Sequence, residues 1–67
     1  MKIILYSTVN CPMCKQLARI LQSKNIAFEK CEDEDYILSL GYRSVPLLQV
    51  DDKILVTQEA FTWANNQ

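Results

Sequence analysis

Residues 6–14 read Tyr6-Ser7-Thr8-Val9-Asn10-Cys11-Pro12-Met13-Cys14, and a change of pattern inside this stretch decides the fold. Upstream, Lys2 to Ser7 is rich in β-branched and aromatic residues and reads as a buried strand. Thr8 to Asn10 reads as a loop. From Pro12 the period changes. Cys14, Leu17, Ala18 and Leu21 recur at helical spacing, with Lys15, Gln16, Arg19 and Gln22 on the opposite face. Pro12 suits the first helical position, where an N–H has no intrahelical partner to lose. Two cysteines therefore fall where a strand hands over to a helix.

The same reading extends along the chain. Asn25 tolerates the left-handed conformation that ends a helix. Ile26 to Cys31 alternates Ile26, Phe28 and Lys30 against Ala27, Glu29 and Cys31, as a second strand would. Glu32 to Asp35 is a run of four carboxylates ahead of Tyr36, Ile37, Leu38 and Leu40. Acidic residues in a first turn favour a helix, and Gly41 suits its end. Leu47 to Val50 and Lys53 to Val56 flank Asp51-Asp52, which reads as a hairpin with a tight turn. Thr57 is expected to cap a last helix that turns Ala60, Phe61 and Ala64 inward. The order is β-α-β-α-β-β-α, an α/β fold whose four-stranded mixed sheet is flanked by three helices. Strands joined through a helix should run parallel, and the hairpin adds an antiparallel edge.

Composition bounds what this chain does. It has 67 residues, which is one domain over 1–67, and 49% of them are hydrophobic, enough for a packed core. A domain this small buries only about 60% of its unfolded surface. The net charge of −1 favours neither nucleic acid nor an anionic membrane as partner. No apolar run approaches the roughly 18 residues of a membrane span. The opening Met1-Lys2-Ile3-Ile4-Leu5-Tyr6 lacks a small-residue cleavage site and is read as strand rather than signal peptide. A cytoplasmic location is expected, where structural disulfides are rare. Three cysteines and no histidine exclude a fully paired internal framework and any histidine-based catalysis or metal site. Charge is uneven: residues 1–31 hold five basic and one acidic side chain, and residues 32–67 hold two basic and seven acidic. A solvated surface of mixed sign explains this; a basic face around the first helix that recruits an acidic partner is the sharper reading.

Cys11-Pro12-Met13-Cys14 carries the chemistry. The first turn of a helix has unpaired N–H groups and a partial positive charge of about half a unit. A sulfur at the N-cap can accept from the Met13 and Cys14 amides, which stabilises thiolate over thiol. Cysteines so placed ionise at about 3.5–7.5 instead of about 8.5. The thiolate is the nucleophile of disulfide exchange. Cys11 is thus the attacking residue, and Cys14, one turn inward, resolves the mixed disulfide. Two other uses of the pair exist. C-x-x-C is also half of a zinc site, although three Cys and no His leave the fourth ligand to a carboxylate or a second chain. A non-catalytic module that docks on one partner without turnover is the other. Cys31 is expected to pack as a small apolar residue, like Tyr6, Phe28 and Phe61. Trp63 and Tyr42 fit either core or rim.

Residues 6–14 resemble the active-site segment of the glutaredoxins, within the thioredoxin superfamily. Arg43-Ser44-Val45-Pro46-Leu47 resembles the family's Thr-Val-Pro stretch. Both segments occur in the family's order, and with the element order the resemblance covers almost the whole chain. It implies a thioredoxin-like fold and a thiol–disulfide oxidoreductase. It also implies a cis peptide bond before Pro46, which proline makes affordable at about 0.5–1 kcal/mol. In the family the backbone at Val45 pairs with the substrate's extended chain, as in strand addition. Pro12, Met13, Val45 and Pro46 are accordingly the expected substrate-positioning residues.

The chain departs from the family at three places. Glutaredoxins usually carry Lys at the position of Thr8, where it helps hold a glutathione carboxylate. They tend to carry Tyr at the position of Met13, and a Gly-Gly pair before the last helix, where this chain reads Leu55-Val56-Thr57-Gln58. Candidate contacts for glutathione or a partner are therefore Thr8, Arg43, Ser44, Thr57 and Gln58, with Glu59 opposing an anion near Thr57. Members lacking these features often draw electrons from a thioredoxin reductase and serve ribonucleotide reductase or similar proteins. The resemblance implies no permanently bound metal or organic cofactor, a disulfide-bearing protein as substrate, and glutathione or a thioredoxin-reductase-like donor as reductant. A monomer is expected.

Overall fold

The computed structural model describes residues 2–67 and contains β1 (Ile3–Tyr6), α1 (Pro12–Ser23), β2 (Glu29–Cys31), α2 (Glu34–Ser39), β3 (Leu47–Val50), β4 (Lys53–Leu55) and α3 (Thr57–Asn65). The strands form one mixed sheet in the order β2-β1-β3-β4. β1 runs parallel to β2, with Tyr6 opposite Cys31, and antiparallel to β3, with Leu5 opposite Leu48. β4 closes the hairpin with β3.

Alternation along β1 builds a core on each face of this sheet. Ile3 and Leu5 join Leu48, Leu17 and Leu21 of α1, and Ala60 and Ala64 of α3. Tyr6 turns to the opposite face, where it packs with Leu47 and with Ile37 of α2. The result is a three-layer arrangement with α1 and α3 on one side and α2 on the other. Each fully buried leucine here contributes roughly 1.5–3 kcal/mol, so a handful of side chains carries most of the stability.

β1 is one residue shorter at each end than the Lys2–Ser7 strand expected from the sequence, and three further boundaries differ, each for a local reason. β2 begins at Glu29 rather than Ile26. Asn25 adopts φ 59° and donates to the Gln22 carbonyl, while the Ile26 N–H donates to the Leu21 carbonyl. These two bonds are the Schellman closure of α1, so the backbone at Ile26 serves the helix end instead of the sheet. Ile26 and Phe28 still pack against the first core. β4 stops at Leu55, and the N-cap of α3 is Val56, not Thr57. Val56 offers its N–H to the Glu59 carboxylate at 3.4 Å, which supplies the helix start from its third residue. Thr57, freed from capping, donates to the Pro46 carbonyl at 3.0 Å.

Other turn readings are matched. Gly41 has φ 91° and donates to the Leu38 carbonyl, ending α2. Asp51 is left-handed in the hairpin, with φ 55°. Its carboxylate accepts from the Lys2 N–H at 2.8 Å, which ties the start of β1 to the hairpin.

Candidate active site

Cys11 is the N-cap of α1, with extended backbone (φ −121°, ψ 101°), and Pro12 is the first helical residue. The Cys11 carbonyl accepts the Lys15 N–H at 3.2 Å, the first bond of the helix. The Cys11 Sγ accepts the Cys14 N–H at 3.1 Å. Of the two amides that sequence reasoning offered to this sulfur, Cys14 is the donor recorded. Cys11 and Cys14 are joined as a disulfide with their Cα atoms 5.2 Å apart, inside the range such bridges require. The two sulfurs are not equivalent. Cys14 is only 3% exposed, whereas Cys11 is half-buried, with exposed Val9 and Met13 close to it in sequence.

Two hollows adjoin this end of the molecule, and Thr8 lines both. The first, about 420 Å³, is walled by Val9, Asn10 and the carboxylate run Glu32 to Asp35. The second, about 210 Å³, brings Thr8 together with Arg43 and Val45 and with Ile37, Leu38 and Tyr42. The Val45–Pro46 peptide bond is cis, and Pro46 is fully buried. The loop carrying Arg43, Ser44 and Val45 therefore lies alongside the segment that leads into Cys11. Ser44 is exposed on that loop. Gln58 stands elsewhere: it lines a third hollow of about 610 Å³ along α3, together with Trp63.

Leu38 is a wall residue of the groove that the sequence reading did not single out, and Tyr42, which fitted either core or rim, lines the same groove. A signal for Leu38 exists. Tyr36, Ile37 and Leu38 are three consecutive apolar residues on a short helix, more than one face can bury. Ile37 is buried, while Tyr36 and Leu38 are 48% and 57% exposed. Cys31, the unpaired cysteine, is half-buried and packs on the second core beside Tyr6. The Tyr6 hydroxyl donates to Gln49 Oε1 at 2.6 Å. Burial, reinforced by neighbouring Tyr36 and Cys31, raises the Tyr6 phenol above its ordinary value of 10.0. Among the described residues, no group of three or more His, Cys, Asp or Glu is arranged to hold a metal ion. No helix among them is long and apolar enough to cross a membrane.

A cysteine pair at a helix start, a cis-proline loop beside it and a four-stranded mixed sheet between helices define a small redoxin. The glutaredoxin family model matches residues 3–55. A glutaredoxin-like 8.6 kDa protein of the rubredoxin operon of Clostridium pasteurianum is 36% identical over 59 residues, covering 78% of this chain and 79% of that one. The chain belongs to the glutaredoxin family, and its fold is thioredoxin-like. The glutaredoxin-like NrdH-redoxin of Escherichia coli, described as having a thioredoxin-like activity profile, superposes with a TM-score of 0.80 at 18% identity. That match covers 98% of this chain and 93% of the other. The thioredoxin-like protein BC3987, as a point mutant, gives 0.71 at 21% identity over 82% and 84% of the two chains. These two similarities speak for the fold.

Proposed function

We propose that this redoxin reduces disulfides in protein substrates. The observation that carries the reading is the Cys14 N–H donating to the sulfur of Cys11, the less buried cysteine of the pair, at a helix N-cap. In the reduced protein the Cys11 thiolate attacks one sulfur of the substrate disulfide. A Cys11–substrate disulfide forms, and the other substrate sulfur leaves as a thiolate. Cys14 then gives up its proton and attacks Cys11 Sγ. The Cys11–Cys14 disulfide closes and the second substrate sulfur departs. Two electrons have passed to the substrate, and no resident cofactor or metal is needed. Val45 and Pro46 present the backbone edge along which the substrate chain lies, with Pro12 and Met13 shaping the approach to Cys11.

The electron donor in this reading is a thioredoxin-reductase-like flavoprotein in preference to glutathione. Where relatives hold a glutathione carboxylate with Lys, this chain has Thr8, which shares its hollow with Glu32, Asp33, Glu34 and Asp35. Four carboxylates raise the cost of bringing an anionic tripeptide there. Arg43 is the cation of the neighbouring groove and the residue best placed to offset them. The thioredoxin-like activity profile of the Escherichia coli NrdH-redoxin supports this choice. Ribonucleotide reductase is a candidate recipient, and a reducing cytoplasm is the fitting compartment. The test is one reduction assay run with two regenerating systems. Turnover with NADPH and thioredoxin reductase, and little with glutathione and glutathione reductase, is expected. Efficient turnover with glutathione alone contradicts the donor assignment.

A further inference from the structure

Thr57 is expected from the sequence to cap α3, and the fold gives that place to Val56. Thr57 is the first residue of α3, half-buried, and its hydroxyl donates to the Pro46 carbonyl at 3.0 Å, across 11 residues of sequence. The start of α3 does not depend on this side chain, because Glu59 supplies the bond to the Val56 N–H. The Thr57 hydroxyl therefore serves the loop and not the helix.

That loop has few other anchors. Residues 42–46 belong to no helix or strand, and regular pairing resumes at Leu47, opposite Tyr6. Pro46 has no N–H, so its carbonyl is the one backbone polar group it can use to fix itself. Val45 immediately precedes it and lines the groove with Thr8 and Arg43. Holding the Pro46 carbonyl from α3 thus fixes the Pro46–Leu47 peptide plane, one residue beyond the groove residue Val45. A near-buried hydrogen bond of this kind is worth about 1 kcal/mol net, enough to set which loop geometry dominates.

We infer that Thr57 is a positioning residue: its hydroxyl holds the Pro46 carbonyl and thereby the Val45 backbone edge that receives the substrate chain. The inference rests on the proposed role of Val45 in docking protein disulfides. The Thr57 hydroxyl is bonded to the Pro46 carbonyl, while the Cys11 sulfur accepts from the Cys14 N–H, so the role assigned to Thr57 lies in the loop and not in the reactivity of Cys11. Its loss weakens recognition of an extended polypeptide and leaves attack on a small disulfide intact.

The experiment compares Thr57→Val, which keeps the β-branched shape and drops the donor, with Thr57→Ser, which keeps the donor. Each is assayed on insulin and on hydroxyethyl disulfide, and the Val45 and Leu47 amide resonances are followed by NMR. Thr57→Val is expected to lower kcat/KM on insulin about fivefold, mostly through KM. It should leave the hydroxyethyl disulfide rate within twofold and broaden or shift the Val45 amide. Thr57→Ser should restore the insulin rate to within twofold. Equal insulin rates for Thr57→Val and wild type overturn the inference. So does an equal loss with Thr57→Ser, or a loss on the small disulfide matching that on insulin. If the wild type reduces hydroxyethyl disulfide but no protein, the proposed substrate class fails, and an undisturbed Val45 amide in Thr57→Val still counts against the positioning role.

Discussion

The Cys14 N–H donates to Cys11 Sγ at 3.1 Å, so the less buried cysteine of the pair is also the one whose sulfur the helix terminus solvates. Cys14 itself is buried, at 3% exposure. This asymmetry divides the labour within the pair. Cys11→Ser should abolish disulfide reduction. Cys14→Ser should retain the first attack and accumulate a covalent adduct, visible by mass spectrometry as protein plus substrate and released by excess thiol. A Cys11→Ser protein with undiminished dithiol-dependent turnover would reverse the assignment.

Tyr6 ties β1 to β3 through polar atoms as well as packing. Its hydroxyl donates to Gln49, whose own amide donates to the Asp51 carbonyl at 2.8 Å. Tyr6→Phe should lower stability by about 1 kcal/mol, measured by urea denaturation at neutral pH. The wild type carries a further pH signature. Burial raises the folded phenol above the ordinary 10.0. The folded state therefore binds this proton more tightly than the unfolded chain. Its stabilising contribution is complete below pH 10, falls as the unfolded phenol ionises, and is gone once pH exceeds the folded value. Urea midpoints of the wild type should drop more steeply above pH 10 than those of Tyr6→Phe.

Leu48 stands between Leu5 of β1 and Leu55 of β4 and is fully buried in the larger core. Leu48→Ala should cost roughly 2–5 kcal/mol. A chain of 67 residues has about 3–10 kcal/mol in all. The variant is therefore expected to be partly or wholly unfolded at 37 °C, as a circular dichroism melt would show. A shift of only a few degrees would mean that the core is less dependent on this strand than its burial implies.

Gly41 closes α2 at φ 91°, and a side chain there would meet nothing within 4 Å. Any penalty for Gly41→Ala comes from the backbone alone. It should be about 1 kcal/mol, a drop of roughly 4–8 °C in Tm for a domain of this size.

Much of this was legible in the sequence because two signals are local. The change from strand period to helix period around Cys11-Pro12 fixes the first β-to-α junction and puts the cysteines at the N-cap. The left-handed positions at Asn25 and Gly41 follow from residue type. What escaped notice depends on distant partners. Thr57 looks like an N-cap by its neighbours, yet the Pro46 carbonyl, remote in sequence, claims its hydroxyl. Ile26 alternates like a strand residue, yet the end of α1 takes its N–H. The site was read in the same uneven way. Cys11, Cys14, Val45 and Pro46 came from motif chemistry and family resemblance. The apolar wall from Leu38 and Tyr42 exists only because α2 folds down beside Thr8.

The central claim is that the helix start keeps the Cys11 thiol ionised near neutral pH. Its most direct measurement is the rate of alkylation of the fully reduced protein by iodoacetamide across pH 4–10, with the modified residue located by peptide mass spectrometry. The account predicts a single fast phase at Cys11 whose midpoint lies below the ordinary thiol value of about 8.5. A midpoint at or above that value, or a fast phase at Cys14 or Cys31 instead, would contradict it.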